Sequence, residues 1–187
     1  MEREILFILG SARHDGNTEH LARHAALSLP ASVKQNWIHL LDQDLPFFED
    51  IRHHETRRYS VTSESEKTLL DATLSASDIV IASPVYWYSV SAATKLYLDY
   101  WSGWMRLEGV DFKTRMASKT LWAISAFSDD DWSGAQPLID TLRMSAEYMK
   151  MNWGGVLLGY GNRPGDIMQH EPSLERAASF FPDGHGP

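Results

Sequence analysis

The sequence predicts an α/β fold, a doubly wound five-stranded parallel sheet with helices on both faces. Three observations carry that expectation. Short apolar runs of strand length alternate with helical patterns along the chain. The runs are continuous rather than alternating, as strands covered on both faces require. The 187 residues contain no internal repeat or low-complexity linker, so 1–187 reads as a single domain. Parallel strands need crossover connections, and these are right-handed.

Taken in order, Ile5–Leu9 is the first strand. Thr18, Leu21, Ala22, Ala25, Ala26 and Leu29 follow helical spacing until Pro30 stops it. Val33–Leu41 reads as a second strand and Asp42–Tyr59, polar and irregular, as a long loop. Leu69, Leu70, Thr73 and Leu74 mark a helix ending near Ser77, followed by a buried strand at Asp78–Ala82 and a helix over about Ser91–Trp104. Thr120–Ser125 is the fourth strand, Gln136–Met149 a helix and Gly155–Leu158 the fifth strand. Pro172 suits the start of a last helix from Ser173 to about Phe181, and 182–187 reads as a frayed tail.

Composition narrows the chemistry. With 17 Lys+Arg against 25 Asp+Glu, the net charge is −8, which argues against a nucleic-acid partner needing a concentrated basic surface. The absence of cysteine excludes disulfides, thiolate nucleophiles, Cys-ligated zinc and iron–sulfur clusters. No apolar run approaches the length of a membrane span, and the first strand is too short for a signal-peptide core. A cytoplasmic protein is the expectation.

In doubly wound sheets ligands sit outside the carboxyl ends of the strands, where the strand order reverses. The loop after the first strand, Gly10-Ser11-Ala12-Arg13-His14-Asp15-Gly16-Asn17-Thr18, leads into a helix start, whose unpaired N–H groups hold anions. Two glycines, three short polar side chains and one arginine suit a terminal phosphate, although a turn capped by Asn17 or Thr18 is the plainer alternative. A P-loop, a G-x-G-x-x-G dinucleotide loop and a G-x-S-x-G nucleophile elbow are all absent. After the third strand comes Ser83-Pro84-Val85-Tyr86-Trp87-Tyr88-Ser89-Val90-Ser91. Three consecutive aromatics there cannot all point inward, and Pro84 stiffens the segment. A rigid apolar wall with backbone donors matches a flat heteroaromatic ring, and a subunit contact is the competing role.

Gly10-Ser11-x-Arg13-x-x-Gly16-Asn17-Thr18, Ser83-Pro84-Val85-Tyr86-Trp87 and Ser91-Ala92-x-x-Lys95-x-x-x-Asp99 together resemble the flavodoxin-like NAD(P)H-dependent FMN reductase family. The resemblance covers the whole chain in element order, including the Leu45-Pro46 turn. It implies strand order 2-1-3-4-5, FMN as cofactor, NAD(P)H as co-substrate, and a homodimer or homotetramer with the flavin near a subunit boundary. It places the phosphate at Ser11, Arg13, Gly16, Asn17 and Thr18, and the ribityl chain and ring at Pro84, Val85, Tyr86 and Trp87, with Tyr88 beside them. After the fourth strand the chain departs from the family's glycine-rich loop. Ser125, Ala126 and Phe127 can still line the pocket, and Asp129–Asp131 are expected to precede or cap the next helix and face solvent.

Other residues read as structural. His20 and His24 stand one turn apart on a face opposite Leu21 and Ala25, Arg57-Arg58 reads as a solvated pair, and Lys95 with Asp99 as a helical ion pair. Tyr97, Tyr100, Trp101 and Trp104 cluster on one helix as either core or interface. The expected activity is hydride passage from NAD(P)H through FMN to a quinone, an azo or nitro compound, or free flavin. A flavodoxin-type electron carrier without nicotinamide oxidation is the alternative. A fold member that has lost its cofactor and acts as an interaction module is a third.

Overall fold

The computed structural model describes residues 3–129 and 131–182. Five parallel strands, β1 (Glu4–Leu9), β2 (Lys34–His39), β3 (Asp78–Ala82), β4 (Thr120–Phe127) and β5 (Asn152–Tyr160), form one sheet in the order β2-β1-β3-β4-β5. The helices are α1 (Asn17–Ala26), α2 (Glu64–Ser75), α3 (Ala92–Trp104), α4 (Phe112–Met116), α5 (Gln136–Tyr148) and α6 (Glu171–Ala178). Successive residues of β1 serve opposite cores. Leu6 and Ile8 pack with α2, α3, α4 and α5, whereas Ile5, Phe7 and Leu9 pack with α1 and α6. Apolar residues on both faces are what turned each strand into a continuous apolar run.

Several boundaries differ from the sequence reading, each for a local reason. α1 ends at Ala26 because Leu27, Ser28 and Leu29 donate to carbonyls three residues back, tightening the last turn, and Leu27 is exposed. β2 is shorter than expected because a 3-10 turn, Leu40–Asp42, takes over after His39. α2 begins five residues before Leu69. Ser63 Oγ accepts the Glu66 N–H at 3.1 Å, and the Glu66 carboxylate reaches back to the Thr62 N–H at 2.8 Å. That variant of a capping box was present in the sequence as Ser63-x-x-Glu66. α4 is one short turn burying Phe112 and Met116, too brief to show periodicity. α6 starts and ends earlier than expected, at Glu171 and Ala178, with Pro172 in its first turn. The expected frayed tail falls outside the described residues except for Pro182.

The aromatic cluster on α3 is core. Tyr97, Tyr100, Trp101 and Trp104 are all buried, and Trp104 packs edge-on against Tyr97 and Phe112. Thr73 donates to the Leu69 carbonyl, so the Tyr97 hydroxyl donates to Thr73 Oγ1 at 2.7 Å. Burial pushes the Tyr97 phenol up to about 12. The Asp42–Tyr59 segment packs on the outside of this layer, with Phe48 stacked on Tyr59 and both rings over Gly103.

β5 is longer than the run Gly155–Leu158 suggested, because Gly154 serves as a close-packing position inside it. The Trp122 indole lies flat against Gly154, and the β4–β5 register shifts at Leu121/Trp122. A Cβ at Gly154 would overlap that rigid ring, which Asp78 also holds by accepting its N–H at 3.0 Å. Gly154→Ala is therefore expected to cost about 1–3 kcal/mol of stability by overpacking, read as a lower midpoint in denaturant unfolding. An unchanged midpoint would show that Trp122 can move aside.

Candidate functional site

The carboxyl ends of β1, β3 and β4 are held level by the sheet itself. The Gly10 N–H donates to the Ala82 carbonyl at 2.9 Å and the Ser83 N–H to that of Ile124 at 3.0 Å. The loops after β1, β3 and β4 therefore converge on one cleft. α1 is entered through Gly16, which offers no side-chain cap, so the first-turn N–H groups of Asn17, Thr18 and Glu19 remain open toward the loop. A Cβ at Gly16 would stand 3.2 Å from Ser11 Oγ, so a larger residue would crowd the floor of the loop. By contrast α2 and α3 are capped by Ser63 and Ser91.

The loop is braced from four sides. Ser11 Oγ accepts the Arg13 N–H at 3.2 Å. The Leu41 N–H points at His39 Nδ1, which assigns that ring's proton to Nε2, and Nε2 donates to the Arg13 carbonyl at 3.2 Å. Asp15, in the left-handed region at φ 54°, donates its N–H to Glu19 Oε2 at 3.0 Å, and Arg23 holds the other carboxylate oxygen. Asn17 reaches across to the segment after β5, donating to the Arg163 carbonyl at 2.9 Å and accepting the Gly165 N–H at 3.0 Å. The Arg13 guanidinium makes no ion pair with the described residues.

These contacts redistribute the roles expected of the loop. The Asn17 side chain is spent on bracing, which leaves its main-chain N–H to face a ligand. Thr18 Oγ1 accepts the Ala126 N–H at 3.2 Å and keeps its own proton to donate. Ser11, Arg13, Gly16, Asn17 and Thr18 all line a polar compartment of about 180 Å³, closed on the other side by Pro84, Val85 and Tyr86.

The second loop turns sharply. Tyr86 and Ser89 exchange backbone hydrogen bonds at 3.0 and 3.1 Å around a two-residue turn, with Trp87 at φ 50° and Tyr88 at φ 65°. Positive φ at both central residues is the pattern that Asn-Gly usually supplies. Two aromatics held there cost roughly 1–2 kcal/mol each. The turn leaves Trp87 94% exposed at the mouth and sets the Tyr88 ring over Gly134 of the 3-10 turn before α5. Val85, Trp87, Tyr88, Phe127, Ser128, Asp129 and Gly134 line an aromatic compartment of about 220 Å³, which shares Val85, Phe127 and Ser128 with the polar one.

Of the expected residues after β4, Ala126 and Phe127 line the cleft. Ser125 does not. It alternates with Leu121 and Ala123 toward the α2–α5 core and is fully buried, with an unpartnered hydroxyl. The aspartate run divides. Asp131 caps the turn by accepting the Ser133 N–H, as expected, while Asp129 lines the aromatic compartment instead of facing away from it. Asp130 lies outside the described residues. Ser128, Gly161 and Asn162 also line the polar side and were not foreseen. The turn-rich run Gly161-Asn162-Arg163-Pro164-Gly165 at the carboxyl end of β5 was the available signal.

Residues set aside in the sequence stay away from the cleft. Arg57 pairs with Glu49, Arg58 donates to backbone carbonyls, and Lys95 pairs with Asp99. The Asp42–Tyr59 segment lines a separate cavity of about 380 Å³ with α3 that shares no residue with the cleft. His20 and His24 are half-buried on α1. His14, His39 and Asp42 bring their ligand atoms together, but both ring nitrogens of His39 are already committed to the backbone.

Glu19 gives the loop a pH dependence. Burial pushes its carboxyl up, but the hydrogen bonds from Arg23 and the Asp15 N–H, with the Arg23 charge, outweigh this and hold it below its ordinary 4.5. Its contribution is fully present above that ordinary value and is lost as pH falls through the lowered one. The protection factor of the Asp15 amide, measured against its intrinsic exchange rate, is expected to hold at pH 4.5 and to fall only at lower pH. In Glu19→Gln the protection should be weaker already at neutral pH, and unchanged protection would remove Glu19 from the bracing.

Comparison with known proteins follows the same lines. The family described as NADPH-dependent FMN reductase matches residues 3–153. A curated Bacillus subtilis (strain 168) protein, YwqN, named among NAD(P)H-dependent FMN-containing oxidoreductases, is 31% identical over 181 residues, spanning 95% of this chain and 96% of its own. The solved structure of the Trp repressor binding protein from Bacillus subtilis superposes with a TM-score of 0.76 at 27% identity, covering 97% of this chain and 99% of the other. An FMN-dependent NADH-azoreductase from Bacillus anthracis, solved in complex with FMN, shares the fold at a TM-score of 0.61 and 14% identity, covering 95% and 98%. The chain belongs to the NADPH-dependent FMN reductase family, flavodoxin-like oxidoreductases that use FMN as cofactor and NAD(P)H as reductant.

Proposed function

We propose that this protein passes hydride from NAD(P)H through FMN held in the cleft to a planar conjugated acceptor: a quinone, an azo or nitro compound, or free flavin. The observation that carries the reading is the continuity of two unlike compartments, a polar one at an open helix start and an aromatic one between two loops. A molecule with a phosphate at one end and a flat ring at the other fits that pair. Ser11 and Thr18 offer hydroxyl protons, Asn17 and Thr18 offer main-chain N–H groups, and Arg13 supplies a cation that has no ion-pair partner among the described residues. Pro84, Val85 and Tyr86 form the wall between the two ends, and Trp87, Tyr88 and Phe127 flank the ring.

Bound FMN supplies the redox chemistry. The chain's part is to hold the ring at an open mouth where donor and acceptor can approach in turn. Hydride transfer itself needs no proton from the protein, and among the described residues no acid–base pair lines the cleft. Membership of an NAD(P)H-dependent family displaces the carrier and interaction-module alternatives. The exposed Trp87 at the mouth, with exposed Met144 and Tyr148 on α5, is apolar surface available to a homodimer or homotetramer, which is part of this reading.

Under anaerobic conditions NADH or NADPH is expected to bleach the visible flavin band of the purified holoprotein, and a quinone or azo compound to restore it. A flavin that nicotinamide leaves oxidised would contradict the reading. Arg13→Ala should raise the FMN dissociation constant about 10- to 150-fold, as loss of a charge-assisted bond implies, and calorimetric titration showing no change would reject its role.

A further inference from the structure

We propose that the open mouth of the aromatic compartment, beside the exposed face of the bound flavin ring, selects its guests by charge, favouring cationic and neutral planar acceptors over anionic ones, with Asp129 as the discriminating side chain. The inference rests on the proposed electron transfer to a planar acceptor and names the class of that acceptor. The compartment walls at Val85, Trp87, Tyr88 and Phe127 are apolar or aromatic. Among the described residues, Asp129 is the ionised side chain on that lining.

Its carboxylate is exposed and uncompensated. Asp129 Oδ1 accepts the Asp131 N–H at 3.0 Å, and no cation pairs with it among the described residues. Asp131 turns its own carboxylate to the Ser133 N–H at 2.9 Å. Arg176 lies 5.0 Å from the Trp132 ring centroid and donates to the Leu158 carbonyl and Ser173 Oγ, so it is committed to β5 and α6. A planar cation stacking against the flavin at this mouth gains from the carboxylate and from the exposed Trp87 ring together. A sulfonated ring meets the same carboxylate as repulsion, with no cation on the wall to offset it. The net charge of −8 works in the same direction at longer range. For the donor only the nicotinamide ring has to reach this mouth, and that ring becomes cationic as it gives up hydride, while its phosphates stay anionic and lie outside the compartment.

The test uses the FMN-loaded protein, equilibrium dialysis, and a cationic azo dye set against a sulfonated azo dye with the same ring system. At low salt the cationic dye is expected to bind about five- to tenfold more tightly, the order that one uncompensated charge nearby produces in a partly solvated site. The gap should narrow at high salt and close to within about twofold in Asp129→Asn. Equal affinities in the unaltered protein, or a preference left undiminished in Asp129→Asn, would overturn the proposal. NAD(P)H-driven reduction of both dyes is followed in the same samples. Selective binding with reduction of neither dye would support the charge selection while overturning the electron transfer on which it rests.

Discussion

An open helix start is useful only if the backbone before it cannot close over it. The first turn of α1 has no side-chain cap, so its N–H groups would ordinarily be satisfied by water or by collapse of the preceding loop. Here the loop is pinned by partners that come from elsewhere in the chain. His39 holds it from the edge strand β2, Glu19 from within α1, and Asn17 ties it to the turn after β5. The cleft is therefore a property of the whole carboxyl edge of the sheet. Its donors are preorganised, so a phosphate that arrives there does not have to order the loop first.

The ring end is built on the opposite principle. Its shape depends on a turn that is intrinsically unfavourable, with Trp87 and Tyr88 both in the left-handed region. The Tyr86–Ser89 backbone pair holds that conformation, Tyr88 lies against Gly134, and buried Pro84 anchors the approach. Backbone strain of this kind concentrates at functional sites. Relaxing it would swing Trp87 away from the mouth, where its exposure otherwise has no packing reason.

Much of this was legible in the sequence, and the parts that were not share a cause. The five strands showed as continuous apolar runs because both faces of the sheet are covered, and the convergence of the loops after β1, β3 and β4 follows from parallel topology. Ten of the cleft residues stood in the two motifs around Arg13 and Trp87. What escaped was long-range or parity-dependent. The side chain of Asn17, though not its main-chain N–H, looked free for a ligand because its partner, the Arg163 carbonyl, is 146 residues away. Ser125 looked like a wall residue because nothing in a short apolar run tells which face a given position takes. Asp129 is exposed, as expected, but its place on the compartment's lining escaped, because the opposite wall comes from Trp87 and Tyr88 on another loop. The α3 aromatics could have been interface or core until the layer of α2, α4 and α5 over them was seen.

The central claim is that the braced start of α1 recognises the phosphate of FMN. Calorimetric titration of the cofactor-free protein with FMN and with riboflavin, which lacks that group, tests it most directly. The account predicts that FMN binds at least about 100-fold more tightly, since several charge-assisted bonds are lost together in riboflavin. Equal affinities for the two would contradict it.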